Sequence, residues 1–155
     1  MAAETTLGGQ YRPAMTKGVH VVNAVPRAME AQVILTVLLV DDDPDTRSLL
    51  ELMLEEDGRF RVVGHASDGA EAVRLAEKEC PDVVVLDLQM PGMDGLTALP
   101  MLRRSLPRAR IVVMSAFPDP LTLADAIGQG VDGYIDKGRS WCELLPTLAG
   151  LCALV

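Results

Sequence analysis

The chain switches repeatedly between short, nearly continuous apolar runs and longer segments whose apolar residues recur every three or four positions. The first kind reads as strands buried on both faces, the second as helices with one inward stripe. Strands are expected at about 33–40, Phe60–His65, Asp82–Leu86, Arg110–Met114 and Gly133–Asp136. Helix one starts at Pro44, a favoured first-turn residue, behind an Asp43 cap. Its Thr46, Leu49, Leu50, Met53 and Leu54 share one face, and Gly58 ends it. Asp68 and Glu71 open helix two, whose apolar face carries Ala72, Leu75 and Ala76 and which stops before Pro81. Helix three covers about Leu96 to Ser105, with Pro100 in its first turns or at a kink. Asp119-Pro120 starts helix four, which reaches about Gly128. Ser140 and Glu143 form a capping-box pattern for helix five, which contains Pro146 and Gly150.

Five such β-α units predict an α/β domain with a parallel sheet covered on both faces. Right-handed crossovers leave few topologies, and the flavodoxin-like (βα)5 doubly wound order 2-1-3-4-5 is the expected one. Its ligand crevice lies at the carboxyl ends of strands one and three, where the strand order reverses. Residues 1–32 hold Gly8-Gly9, Pro13, Gly18 and Pro26 without a sustained period. They are expected to be a flexible extension, with a short extended piece at Val21–Val25, preceding a domain over 33–155.

The polar residues that stop the apolar runs carry the candidate chemistry. Strand one ends in Asp41-Asp42-Asp43, strand three in Asp87, strand four in Ser115 and strand five in Lys137. Each alone has a plain reading as a turn former, a cap or a solvated charge. Together they place acids, a hydroxyl and an ammonium on one rim. Asp41, Asp42 and Asp87 would converge, and close carboxylates need a counter-charge. Oxygen-only donors favour Mg²⁺ over zinc.

Composition narrows the alternatives. The 155 residues carry a net charge of −8 and no basic cluster, which argues against direct nucleic-acid binding. Only 3% are aromatic, so the core is expected to be aliphatic. Cys80, Cys142 and Cys152 lack metal-ligand spacing and are expected to be small buried hydrophobes in a reducing cytosol. The apolar run at 33–40 is too short to span a bilayer, and no secretory signal pattern opens the chain.

Four segments carry a resemblance. They are Val37-Leu38-Leu39-Val40-Asp41-Asp42, Leu86-Asp87 through Met90-Pro91 and Asp94-Gly95, Met114-Ser115-Ala116, and Gly133-Tyr134-Ile135-Asp136-Lys137. Over about residues 35–152 the chain resembles the response regulator receiver domains of bacterial two-component signalling. The resemblance implies that Asp87 accepts a phosphoryl group. It implies Mg²⁺ held by Asp42, Asp87 and the main-chain carbonyl of Gln89, with Asp41 acting through water. Ser115 and Lys137 would bind the phosphoryl group, and the small Ala116 would let water reach it. Tyr134 matches the aromatic residue whose rotamer follows activation.

The implied partners are a sensor histidine kinase or phosphotransfer protein and an output protein or domain. Homodimerisation through the face built by helix four, strand five and helix five is a further option. The implied protein is a cytoplasmic signalling module, not a turnover enzyme, with only weak self-phosphorylation and self-dephosphorylation.

Three positions depart from the usual pattern. Gly138 stands where many receivers have proline, so a trans bond or a strained loop is expected there. Ser115 lacks the methyl of threonine, and Pro146 makes helix five irregular. The chain stops after helix five without a helix-turn-helix, which fits a stand-alone receiver or a piece of a DNA-binding regulator. Lys137-Gly138-Arg139-Ser140 is similar to receivers that precede such an output. The rival is an aspartate-nucleophile phosphatase of the haloacid dehalogenase type, prompted by Asp41-x-Asp43. Asp45 stands where that family has Thr or Val. A receiver fold that no longer takes phosphate is opposed by the complete acceptor set.

Overall fold

In the computed structural model, residues 32–117, 119–139 and 141–153 are described. Most of the expected extension, including Val21–Val25, lies outside them. The elements alternate as β1 (Leu35–Val40), α1 (Pro44–Asp57), β2 (Phe60–Ala66), α2 (Gly69–Glu79), β3 (Val83–Asp87) and α3 (Gly95–Ser105). They continue with β4 (Arg110–Ser115), α4 (Pro120–Gly128), β5 (Gly133–Asp136), a 3₁₀ turn (Trp141–Glu143) and α5 (Leu144–Cys152). The strands form one parallel sheet in the order β2-β1-β3-β4-β5. The expected flavodoxin-like topology is the one found.

Continuous apolar runs are needed because both faces of the sheet are covered. Successive strand residues point to opposite faces. Leu38, Val40, Val84, Leu86, Ile111 and Val113 pack with Ala72, Ala76, Ala98, Leu99, Leu102 and Ala126 from α2, α3 and α4. Val37, Leu39, Val85, Val112 and Met114 pack on the other face with Leu50 and Leu54 of α1 and Leu144 and Leu148 of α5.

Four helices start on aspartate caps. The Asp43, Asp68, Asp94 and Asp119 side chains each accept main-chain N–H groups of the first turn. Such a cap is worth about 1 kcal/mol. Because these helices begin just past strand ends, the caps also fix where the strand-end loops leave the sheet. Gly58 ends α1 at φ 76°, the left-handed region that glycine enters without strain. Pro100 is exposed within α3, and Pro146 sits in the first turn of α5, where its missing N–H costs nothing.

Several expectations fail for local reasons. β1 begins at Leu35, because Val33 and Ile34 are exposed, and β3 is shifted by one residue so that Asp87 belongs to it. Leu49 is exposed, since α1 faces the sheet through Leu50 and Leu54 and Leu49 lies a third of a turn away. The cysteines are not buried hydrophobes. Cys80 and Cys142 are exposed and Cys152 is half-buried, because each sits at a helix end or turn rather than on an inward stripe. The Ser140 half of the expected capping box lies outside the described residues; Glu143 has helical backbone without a side-chain cap, and the 3₁₀ turn runs directly into α5.

At the edge of the sheet opposite the crevice, Asp132 ties three segments together. It accepts from Ile111 N (2.8 Å), Arg103 Nη2 (2.9 Å) and Arg110 Nη1 (3.2 Å). Burial works to raise its carboxyl, but these donors outweigh it and hold the group below its usual range. Asp132→Ala should lower the unfolding free energy by about 2 kcal/mol at neutral pH, measured by urea titration. A depressed carboxyl stabilises above its unfolded value, near 3.9, and that stability is lost as pH falls through the folded value. The gap between parent and variant should therefore close in acid.

Candidate functional site

The buried polar side chains among the described residues are Asp41, Asp87 and Ser115. All three stand at the carboxyl ends of strands β1, β3 and β4, where the order of the sheet reverses. Desolvating a charge is costly unless it is paired, so such a concentration of buried polar groups needs compensation. Lys137, just past β5, supplies it. Its Nζ donates to Asp41 Oδ2 and to Asp87 Oδ2, the latter at 2.9 Å.

The two aspartates are held alike. Asp41 Oδ1 accepts from Asp43 N (2.9 Å) and Asp87 Oδ1 from Gln89 N (3.0 Å). Each carboxylate thus closes a turn over the next two residues with one oxygen and meets Lys137 with the other. Burial pushes the Asp87 carboxyl above its usual range, although Gln89 N–H and Lys137 pull it down. Burial acts to lower Lys137, but the two carboxylates outweigh it and hold the ammonium above its ordinary value.

Asp42 differs from its neighbour. It is exposed, yet one oxygen from each of Asp41, Asp42 and Asp87 lies within 4.8 Å of the others. Oxygens on opposite sides of an octahedral Mg²⁺ are roughly 4.2 Å apart, from a bond length near 2.1 Å. The carboxylates could therefore hold such a cation after small shifts, or with one of them acting through water.

Close packing fixes the Asp87 backbone. A Cβ at Gly95 would lie 2.1 Å from the carbonyl oxygen of Asp87, and Gly95 N donates to Leu88 O at 3.2 Å. The start of α3 is thereby pressed against the end of β3.

Ser115 Oγ accepts from Phe117 N at 3.3 Å, and Ala116 beside it is exposed. Tyr134 pairs with Val113 in the sheet, so its ring stands on the same face as Ser115, one strand over. Its hydroxyl is enclosed without a hydrogen-bond partner, and burial pushes the phenol up. The Lys137–Gly138 bond is trans and Gly138 avoids positive φ, its N–H donating to Asp136 Oδ1 at 2.8 Å.

The arrangement thus gathers Asp41, Asp42, Asp87 and Lys137 into one cluster, with Ser115 and Ala116 on the rim and Tyr134 set back along β5. Sequence reasoning missed Arg47, whose Nη1 donates to the carbonyl of Asp41. The signal was present. Arg47 falls three and seven positions before Leu50 and Leu54, so a guanidinium lies on the buried stripe of α1.

The sequence profile of the response regulator receiver domain matches residues 37–148. The chain belongs to that family. Over 113 residues it is 39% identical to the nitrate/nitrite response regulator protein NarL of Escherichia coli (strain K12), covering 73% of this chain and 52% of that protein. Over 118 residues it is 43% identical to the protein-glutamate methylesterase/protein-glutamine glutaminase of Maricaulis maris (strain MCS10), covering 74% of this chain and 29% of that protein. Among solved structures, the LuxR-family two-component response regulator from Aurantimonas sp. SI85-9A1 superposes with a TM-score of 0.73 at 31% identity. That match covers 77% of this chain and 86% of the other. The receiver thus spans about half of NarL and under a third of the methylesterase. No helix among its described residues is long and apolar enough to cross a membrane.

Proposed function

We propose that this receiver is a phosphoacceptor. Asp87 takes a phosphoryl group from a sensor histidine kinase or phosphotransfer protein, and the modified domain then controls an output protein or domain. The observation that carries this reading is the Asp87 carboxylate itself. It is buried at the end of β3, held through Oδ1 by Gln89 N–H and through Oδ2 by Lys137, beside two further acids.

The roles follow from chemistry. A carboxylate is a weak nucleophile towards an anionic phosphate, so the reaction needs positive charge and a fixed line of attack. Asp42, Asp87 and the carbonyl of Gln89 would hold Mg²⁺, with Asp41 acting through water, and the site would thereby gain positive charge against the transferring group. Gln89 N–H orients the Asp87 carboxylate. Lys137 has three donors, enough to keep Asp41 while turning one to a phosphoryl oxygen. A new bond forms between an Asp87 oxygen and phosphorus as the donor's P–N bond breaks, and the leaving imidazole takes a proton. Ser115 then bonds the added phosphoryl group and gives up Phe117 N–H. Its displacement frees space on the face where Tyr134 stands, biasing a two-state surface of α4, β5 and α5 that serves the output or a second copy of the chain. The exposed Ala116 leaves a path for water and slow self-dephosphorylation. The domain acts in the cytoplasm without binding nucleic acid itself and turns over no other substrate.

Intact-protein mass spectrometry after incubation with acetyl phosphate tests this. One added phosphoryl group is expected, dependent on Mg²⁺. Absence of any gain both from acetyl phosphate and from phosphorylated histidine donors would overturn the reading.

A further inference from the structure

Asp41 and Asp42 are neighbours in sequence but are held by opposite means. Every polar group of Asp41 has a partner. Its N–H donates to Ala66 O, its carboxylate accepts from Asp43 N and Lys137 Nζ, and its carbonyl accepts from Arg47 Nη1 at 2.5 Å. The Asp42 carboxylate has no hydrogen-bond or ion-pair partner among the described residues, yet it lies in the acid cluster. Its position is therefore set by the backbone alone. The carbonyl of Asp41 belongs to the peptide plane that leads into Asp42, so its direction fixes where the Asp42 side chain leaves the chain. Arg47 holds that carbonyl. The backbone of Arg47 is in turn anchored in α1, its N–H donating to Asp43 O at 3.2 Å, and its Nε is enclosed, so the side chain reaches Asp41 from within the fold.

We propose that Arg47 is a positioning residue, which aims Asp42 at the cation site by gripping the Asp41–Asp42 peptide. The inference rests on Asp42 being a cation ligand. A cation placed near three carboxylates would, by charge alone, weaken Mg²⁺ binding. Removing it would then tighten binding. Positioning gives the opposite sign. Partners behind metal ligands are typically worth 10–100-fold in affinity.

The test is calorimetric titration of Mg²⁺ into the parent, Arg47→Met and Arg47→Lys, with folding checked by circular dichroism. Methionine keeps the apolar stem, and lysine keeps a donor able to reach the carbonyl. About tenfold weaker binding is expected in Arg47→Met, with Arg47→Lys returning most of it. Unchanged or tighter binding in Arg47→Met would overturn the proposal while leaving the site intact. A parent that binds no Mg²⁺ would overturn the reading of the site and the proposal with it. Should Arg47→Met fail to fold, Arg47→Gln takes its place under the same criterion.

Discussion

Asp87→Asn is expected to abolish the gain of a phosphoryl group and leave the fold intact. Asparagine has nearly the same shape, and its amide oxygen can still accept Gln89 N–H. The amide lacks the anionic oxygen that attacks phosphorus, so the loss should be complete within the detection limit of mass spectrometry. Stability should move the other way. Burial raises the Asp87 carboxyl in the folded chain, so the ionised form opposes folding. A raised carboxyl adds stability below its unfolded value, and that contribution is lost as pH rises through the folded value. The neutral substitute escapes this loss and leaves Lys137 facing Asp41 alone. Without Mg²⁺ at neutral pH, urea unfolding should show the variant as stable as the parent or more so. Phosphorylation of the variant to the parent's extent would show that another residue is the acceptor.

Why the sequence reveals the buried Asp87 but not its supports is a matter of range. Asp87 closes a run of buried residues, and that boundary can be read from five consecutive positions. Asp43 and Asp119 precede prolines and are legible as caps for the same local reason. The contrast between Asp41 and Asp42 is not local. It depends on Lys137, ninety-six positions away, and on a carbonyl turned towards Arg47. The cysteines show the converse error. Their average tendency is to be buried, but Cys80 occupies the left-handed end of α2 at φ 45°. Position in the element overrides residue type there. The 3₁₀ turn that feeds α5 is likewise not legible, because nothing in the spacing around Glu143 distinguishes such a turn from the first turn of the helix.

Lys137→Ala is expected to separate phosphorylation from its consequence and to make the fold depend on Mg²⁺. Lys137 is the ammonium that bridges Asp41 and Asp87, which are 1% and 4% exposed. Removing one partner of a buried pair costs about 3–5 kcal/mol, because a charge is left uncompensated. The Asp42 side of the cluster opens to solvent, so a loss near 3 kcal/mol is expected without Mg²⁺. A cation that binds only the folded chain restores stability in proportion to its concentration over its dissociation constant. Mg²⁺ should therefore raise the melting temperature of the variant more than that of the parent. The parent should show the same weakness in alkali. Its ammonium is held above the usual value, so the stability it gives is present below the unfolded value, near 10.4, and lost as pH rises through the folded one. Asp87 keeps its carboxylate and Gln89 N–H in the variant, so some phosphorylation from acetyl phosphate should persist. The phosphoryl group would lack the contact that draws the strand-β5 side of the site inward, and partner affinity should no longer change on phosphorylation. Thermal melts with and without Mg²⁺, paired with partner titrations before and after acetyl phosphate, measure both effects. A phosphorylation-dependent affinity change equal to the parent's would remove Lys137 from the switch. Unchanged melting without Mg²⁺ would show that the two buried carboxylates are compensated by something other than this lysine.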